Sequence, residues 1–218
     1  MVEAESSPQR EAAFRKDWTK GSIISNLLLL SWPMVVMEIL YVASQIVDMI
    51  WVGKLGSSSI AGVGIVNIFI MLVMSVDMGL ILGARAMIAR CVGAGDLRGA
   101  NNVAGQAIVL GAVWGIVMTA IGVFLAEPIL GLFGVEAKVI AEGTAYMRVM
   151  FAGWVSLEVL VASLYAVQSS GDTLRPMIIE VLIRAVHVTV CPFFVLGWWV
   201  FPRLGVSGAA LSNVISQS

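Results

Sequence analysis

The sequence predicts an all-α membrane protein, a polytopic bundle of helices. Hydrophobic residues make up 59% of the chain and charged residues only 12%, whereas soluble domains carry about 25% charged residues. The mean hydropathy is +0.95, and long apolar runs alternate with short turns rich in Gly, Ser and Asp. The net charge of −1 gives no basic field that would attract nucleic acid, so a nucleic-acid partner is not expected.

The apolar runs set the expected number of helices. A helix needs about 20 residues to cross the hydrocarbon core of a bilayer. The predicted spans are 23–50, 59–83, 101–126, 140–166, 174–201 and, incomplete, 206–218. The last run would be about 20 Å long as a helix, which is too short for a core of about 30 Å. We therefore expect a fragment whose sixth helix is truncated.

The N-terminal segment, residues 1–22, is polar and lacks the apolar core of a signal peptide. It is consistent either with a short amphipathic helix that places Phe14 and Trp18 at the lipid interface or with a solvated tail. Residues 23–218 would form one transmembrane lobe. Basic residues are more frequent on the side of the N-terminus and of the loops containing Asp96 and Asp172. This bias predicts a multi-pass protein of the plasma (inner) membrane with a cytoplasmic N-terminus.

The first predicted span contains two acids, Glu38 and Asp48, with Gln45 between them. Ionisable side chains are costly in the hydrocarbon region and usually mark an ion or substrate path. The acids are ten residues apart, close to three helical turns, so we expect them on one face, where Gln45 completes a polar stripe. Asp48 is equally consistent with an interfacial position at the end of the helix. Glu38 lies deeper, and we expect it to face a cavity.

The fifth predicted span carries Glu180, Arg184 and His187 at positions i, i+4 and i+7 of one helix face. The acid precedes the base, which favours an ion pair; a purely structural pair and a functional role are both open. His187 is the only histidine in the sequence, and the sequence supplies it with no obvious metal-binding partners. No metal or cofactor is therefore expected. Asp77 and Glu158, isolated in other spans, are weaker candidates.

Small residues and cysteines carry structural signals. Gly115 and Gly122 belong to a small-residue stripe in the third span, and Gly62 belongs to another in the second. Such residues let helices approach closely inside a membrane. Cys91 and Cys191 form no CxxC motif, so we interpret both as reduced, buried thiols.

Four segments together resemble a known family. The first is the span from Pro33 to Asp48, followed by Val-Gly-Lys-Leu-Gly at 52–56. The second runs from Gly-Ala-Arg-Ala at 83–86 to Gly-Ala-Gly-Asp at 93–96. The third is Gln-Ser-Ser-Gly-Asp-Thr at 168–173, before Pro176, and the fourth is Gly-Val-Ser-Gly-Ala-Ala at 205–210. In their order and spacing the chain resembles the N-terminal half of a multidrug and toxic compound extrusion (MATE) transporter.

The resemblance implies twelve helices in two six-helix lobes and export of drugs in exchange for H⁺ or Na⁺. This chain would supply one lobe, and its partners would be a small-molecule substrate, the lipid bilayer and a missing C-terminal lobe. The acid of the family's first helix corresponds to Asp48. Where family members often show asparagines and an aspartate in the fifth helix, this chain has Arg184, His187 and Cys191. The resemblance then implies either coupling through Asp48 with Glu180 and His187 or a substrate that is not a simple cation.

Other functions stay open at this point. A lipid or polysaccharide flippase of the same superfamily would have the same sequence features, and a truncated product would be inactive alone. The segment Gly93-Ala94-Gly95-Asp96 also matches the GxGD pattern of intramembrane proteases. Protease chemistry needs two carboxylates that share a proton and a water. Asp96 is instead expected in a loop, where it opens the next helix.

Overall fold

The computed structural model describes residues 22–197 and 204–217, and nearly all of them are helical. The helices are α1 (Ile23–Gly53), α2 (Ser57–Gly93), α3 (Leu97–Phe124), α4 (Ala126–Gly131), α5 (Ala137–Ala152), α6 (Trp154–Ser169), α7 (Leu174–Leu196) and α8 (Val206–Gln217). The predicted all-α bundle is confirmed. The expected N-terminal interface residues Phe14 and Trp18, and the end of the fifth span beyond Gly197, lie outside the described residues.

Four helices of the described part are long and apolar enough to cross a membrane, namely α1, α2, α3 and α7. Helix α2 continues ten residues beyond the predicted end of its span at position 83 and reaches Gly93. The basic residues Arg85 and Arg90 therefore lie in a helix rather than in a turn. The turn begins only at Ala94, and Gly95 with its φ of 77° takes the chain out of the helical path.

The fourth predicted span, 140–166, is divided into two helices. Helices α5 and α6 meet at Gly153 with a bend of 51°, so the pair forms a broken span or a re-entrant loop. A Cβ atom on Gly153 would lie 2.4 Å from a methyl group of Val214 in α8. The glycine is therefore required at the bend because α8 packs directly against it.

Glycines bring the helices of the core into close contact, as the sequence predicts. On α3, a Cβ at Gly115 would lie 2.9 Å from the Cα of Val155, and one at Gly122 would overlap the ring of Phe151. Phe151 is fully buried and stacks on Trp154 with ring centroids 4.5 Å apart. The small-residue stripe of α3 thus packs against the segment around the bend, which contains Phe151 and Trp154.

A second close contact joins α2 to α5. A Cβ at Gly62 would lie 2.8 Å from the backbone nitrogen of Gly143 and 2.9 Å from the carbonyl oxygen of Val139. These two helices therefore touch backbone to backbone. The neighbouring Gly64 meets nothing within 4 Å, so only one of the two glycines is a packing residue.

Asp96 begins α3 as its N-cap. Its carboxylate oxygen Oδ1 accepts a hydrogen bond of 2.9 Å from the backbone N–H of Gly99. An N-cap aspartate satisfies one of the free N–H groups of the first helical turn and complements the helix dipole. Asp96 is also solvent-exposed. Its role in this fold is therefore structural, as the loop interpretation predicts.

Candidate functional site

The site lies where α1 packs on α7. Asp48 projects from α1 toward His187 and Cys191 of α7, which are one helical turn apart. The distance from His187 Nε2 to Asp48 Oδ1 is 3.3 Å. The thiol of Cys191 donates a hydrogen bond of 3.4 Å to the same carboxylate oxygen. His187 and Cys191 are fully buried, whereas 18% of the Asp48 side chain is exposed. A single carboxylate oxygen thus meets an imidazole and a thiol in a largely water-free place.

Ser44 fixes the imidazole from the other side. Its hydroxyl Oγ lies 2.8 Å from Nδ1 of His187, and both residues are buried. Ser44 precedes Asp48 by one turn of α1, so the same face of α1 contacts both ring nitrogens. Although Nε2 is close to Asp48, its alignment does not make a hydrogen bond, and it has no hydrogen-bond partner among the described residues. The ring is therefore oriented through Nδ1, and Nε2 lies on the side of Asp48.

An ion pair lies beside this cluster on the same helix. Arg184 donates from Nε at 2.9 Å and from Nη2 at 2.5 Å to the Oε1 atom of Glu180. Its guanidinium also lies 5.1 Å from the ring centroid of Tyr41 on α1. The side chains of Arg184 and Glu180 are only 9% and 15% exposed. Glu180 therefore offsets part of the positive charge that Arg184 presents to the neighbouring cluster.

The predicted site residues divide into two groups. The structure brings Asp48 and His187 into contact and places Glu180 and Arg184 next to them. Glu38 and Gln45 have exposed side chains on α1. Ten residues fall short of three full turns by nearly a residue, which rotates Glu38 by about 80° from Asp48. The shared face of the two acids and the cavity-facing role of Glu38 both stay predictions.

Sequence reasoning missed the role of Cys191. It stands in an apolar run and was expected to be an ordinary buried thiol, and it is indeed buried and free. The available signal was its position, four residues after His187 on the same helical face. The structure thus supplies His187 with the partners that the sequence did not reveal, since Asp48 reaches it from another helix.

A cavity with a mostly apolar lining lies between α2, α3 and α6. Asp77 and Glu158 line it together with Arg85 and Tyr165. Both acids are buried, and the guanidinium of Arg85 lies 4.7 Å from the ring centroid of Tyr165. The sequence treated the two acids as isolated. They are adjacent only because α2 and α6 pack together, which spacing along the chain does not reveal.

Comparison with known proteins gives the family. The sequence model of the MatE family matches residues 33–193, which is most of the chain. The chain belongs to the MatE family. The matched segment begins at Pro33 in α1 and ends in α7, so it contains Asp48, His187 and Cys191.

Relatives of this MatE chain are described as transport or drug-resistance proteins. A probable multidrug resistance protein NorM of Thermotoga maritima is 24% identical over 196 residues, which are 89% of this chain and 42% of the relative. An FAD transporter of Shewanella oneidensis is 24% identical over 190 residues, 87% of this chain and 42% of that protein. These relatives are named for transport and drug resistance rather than for proteolysis, which argues against the protease interpretation of the segment that ends at Asp96.

A solved structure of the family has the same fold. The outward-facing conformation of a multidrug resistance MATE family transporter of the MOP superfamily matches this chain with a TM-score of 0.79 and 28% identity. The match covers 86% of this chain and 41% of the solved one. The chain thus spans about two fifths of the length of the relatives that it matches, as expected for one lobe of a two-lobe transporter.

Proposed function

We propose that this MatE chain forms one lobe of a secondary active transporter that exports drugs or other xenobiotics in exchange for H⁺ or Na⁺. Family membership and the descriptions of its relatives support a transport role. The observation that carries the proposal is the position of Asp48. Its carboxylate is mostly buried between two long apolar helices and faces His187 and Cys191 rather than a lysine or arginine. A carboxylate in such a place is costly unless it serves an ion or substrate path.

The coupling mechanism follows from the electrostatics of this interface. When Asp48 binds a cation, the charge buried between α1 and α7 is neutralised, and the two helices can pack closely around it. When the cation leaves, the exposed charge favours a wetter arrangement that a substrate can enter. A cation that binds one arrangement better shifts the population toward it. In the proposed cycle this shift drives alternating access between this lobe and a second, C-terminal lobe.

The ion pair on α7 bears on the choice of substrate. An unpaired Arg184 beside the site would repel a cationic drug, but Glu180 holds its guanidinium in a two-contact ion pair. Tyr41 covers the other face of that guanidinium. The pair is therefore compatible with cationic as well as neutral amphipathic substrates. We propose small xenobiotics as the substrate class, acting in the plasma (inner) membrane with the N-terminus on the cytoplasmic side.

The experiment is gradient-driven transport in proteoliposomes that contain the complete two-lobe transporter. A fluorescent cationic drug is followed under an imposed H⁺ gradient or, separately, an imposed Na⁺ gradient. The variant Asp48→Asn keeps the size of the side chain and removes its charge, so we expect it to lose most of the gradient-driven transport. Glu136→Gln is the matched control, because Glu136 is exposed at the start of α5 and its side chain makes no capping hydrogen bond.

Two results would overturn the proposal. One is unchanged coupled transport in Asp48→Asn while the protein remains folded in the bilayer. The other is transport that depends on neither gradient. Movement of a labelled lipid between leaflets without any drug transport would favour the flippase alternative instead.

A further inference from the structure

We propose that Asp48, His187 and Cys191 form a binding site for a thiophilic divalent cation of the Zn²⁺ type. The three residues offer a carboxylate oxygen, an imidazole nitrogen and a thiol sulfur, and these atoms all lie within 4.8 Å of one another. They come from two helices, α1 and α7, that are held together by the surrounding apolar packing. The ligand atoms therefore converge from two helices rather than forming a row along one helix.

The distances fit a tetrahedral zinc ion. With Zn–O and Zn–N bonds of about 2.0 Å and a Zn–S bond of about 2.3 Å, tetrahedral angles place oxygen and nitrogen ligands about 3.3 Å apart and oxygen and sulfur ligands about 3.5 Å apart. The observed separations from Asp48 Oδ1 are 3.3 Å to His187 Nε2 and 3.4 Å to Cys191 Sγ. Two edges of the coordination tetrahedron are thus already at metal-binding length.

The orientation of His187 provides an independent observation. Its Nε2 atom is buried and has no hydrogen-bond partner within the described part of the chain, and the side chain is 0% exposed. The opposite nitrogen, Nδ1, lies 2.8 Å from Ser44 Oγ. If Nδ1 carries the proton and donates it to Ser44, Nε2 carries a lone pair that is available to a metal on the side of Asp48. Metal-binding histidines are commonly held by a hydrogen bond at the other ring nitrogen in this way.

Charge and donor type favour zinc over the hard cations. Na⁺ and Ca²⁺ prefer oxygen ligands, whereas imidazole and thiolate suit Zn²⁺ and its neighbours. An ionised Asp48 and a Cys191 thiolate would together neutralise a divalent ion, which limits the cost of burying it. The positive charge of Arg184 on the same helix opposes the bound cation in part, and the ion pair with Glu180 reduces that opposition.

Binding has a defined proton balance. The thiol proton of Cys191, which now points to Asp48, leaves to solvent when sulfur coordinates the metal, and no redox step is involved. The three protein ligands leave one tetrahedral position for water. Because 18% of the Asp48 side chain is exposed, solvent has a route to the site.

A metal at Asp48 would compete with the coupling cation for the same carboxylate. Only this competition rests on the proposed function. Zinc binding itself does not require transport. The two ideas can therefore fail separately, since one is measured at equilibrium without a gradient and the other is measured as a flux.

The experiment is Co²⁺ and Zn²⁺ binding to the purified protein in lipid nanodiscs. Tetrahedral Co²⁺ bound to a thiolate gives a sulfur-to-metal charge-transfer absorption that oxygen and nitrogen ligands do not give. We expect one Co²⁺ per chain with this absorption, and we expect Zn²⁺ to displace it. Cys191→Ser should abolish the absorption, and Ser44→Ala should weaken binding by about 10- to 100-fold because it releases the imidazole.

Cys91→Ser is the matched control. Cys91 is the other cysteine of the sequence and lies in α2, away from the site. The charge-transfer absorption should persist in Cys91→Ser, because Cys191 is the thiol that remains. This result does not depend on how well Cys191→Ser folds. The inference is overturned if the wild-type protein binds no Co²⁺ or Zn²⁺, if bound Co²⁺ lacks the sulfur absorption, or if Cys91→Ser abolishes it.

Discussion

The contact between α2 and α5 offers a sharp test of the packing. A methyl group added by Gly62→Ala would lie 2.8 Å from the backbone nitrogen of Gly143 and 2.9 Å from the carbonyl oxygen of Val139. Ordinary contacts of a Cβ begin near 3.4 Å, so the two helices would have to separate by about 0.6 Å. Because the opposing atoms are backbone, no single side chain can relieve the overlap by changing rotamer. Overpacking of this kind typically costs about 1–3 kcal/mol.

Gly64 provides the control that isolates the packing cost of Gly62→Ala. Gly64→Ala introduces the same methyl group into the same helix, where nothing lies within 4 Å. Both substitutions gain up to about 1 kcal/mol in helix propensity, so the difference between the two variants reports the packing cost alone. We expect Gly62→Ala to be less stable than Gly64→Ala by about 1–3 kcal/mol.

The assay is reversible unfolding of the purified protein in mixed micelles, followed by the fluorescence of its seven tryptophans. Both variants are compared with the wild type under the same lipid and detergent conditions. Equal stability of the two alanine variants would show that α2 and α5 are not in backbone contact, and the reasoning about this interface would then be refuted.

Three further substitutions test other contacts by the same unfolding assay. Asp96→Ala removes the N-cap of α3 and should cost about 1 kcal/mol; no loss would contradict the capping role. Glu180→Gln leaves the largely buried guanidinium of Arg184 without a charged partner and should lower the free energy of unfolding by about 2 kcal/mol. The double variant Glu180→Gln with Arg184→Gln removes both charges and should recover part of that loss. Gly153→Ala would overlap Val214 and should destabilise the bend. Val214→Ala in the same chain removes the two closest methyl groups and should recover part of the loss; an additive loss instead would contradict the contact.

Much of the fold could be predicted because apolar length is a property of the sequence alone. The runs that became α1, α2, α3 and α7 are each long enough for a bilayer, and turn residues separate them. The break at Gly153 was not predictable in this way, because the sequence stays apolar on both sides of it. The bend depends on where α8 places Val214, which is a tertiary contact.

The site was predicted in part for a similar reason. The cost of burying an acid singled out Asp48, and helical spacing singled out the face of α7 that contains His187. Neither argument states which face of α1 meets α7. Cys191 was overlooked because a thiol among apolar residues is indistinguishable from a core residue until a carboxylate is seen beside it. Asp77 and Glu158 show the same limit, since helix packing alone brings them to one cavity.

The polar face of α7 explains how one helix can hold several charged and polar groups inside an apolar bundle. Glu180 and Arg184 form an ion pair within the helix. The half of the polar face that they occupy therefore contains one charge of each sign and needs no ligand. His187 and Cys191 have no such internal partner and turn to Asp48 on α1. A cation that enters the second half therefore changes the charge at the α1–α7 contact without disturbing the ion pair. We therefore expect cation binding at Asp48 to act on the packing between α1 and α7.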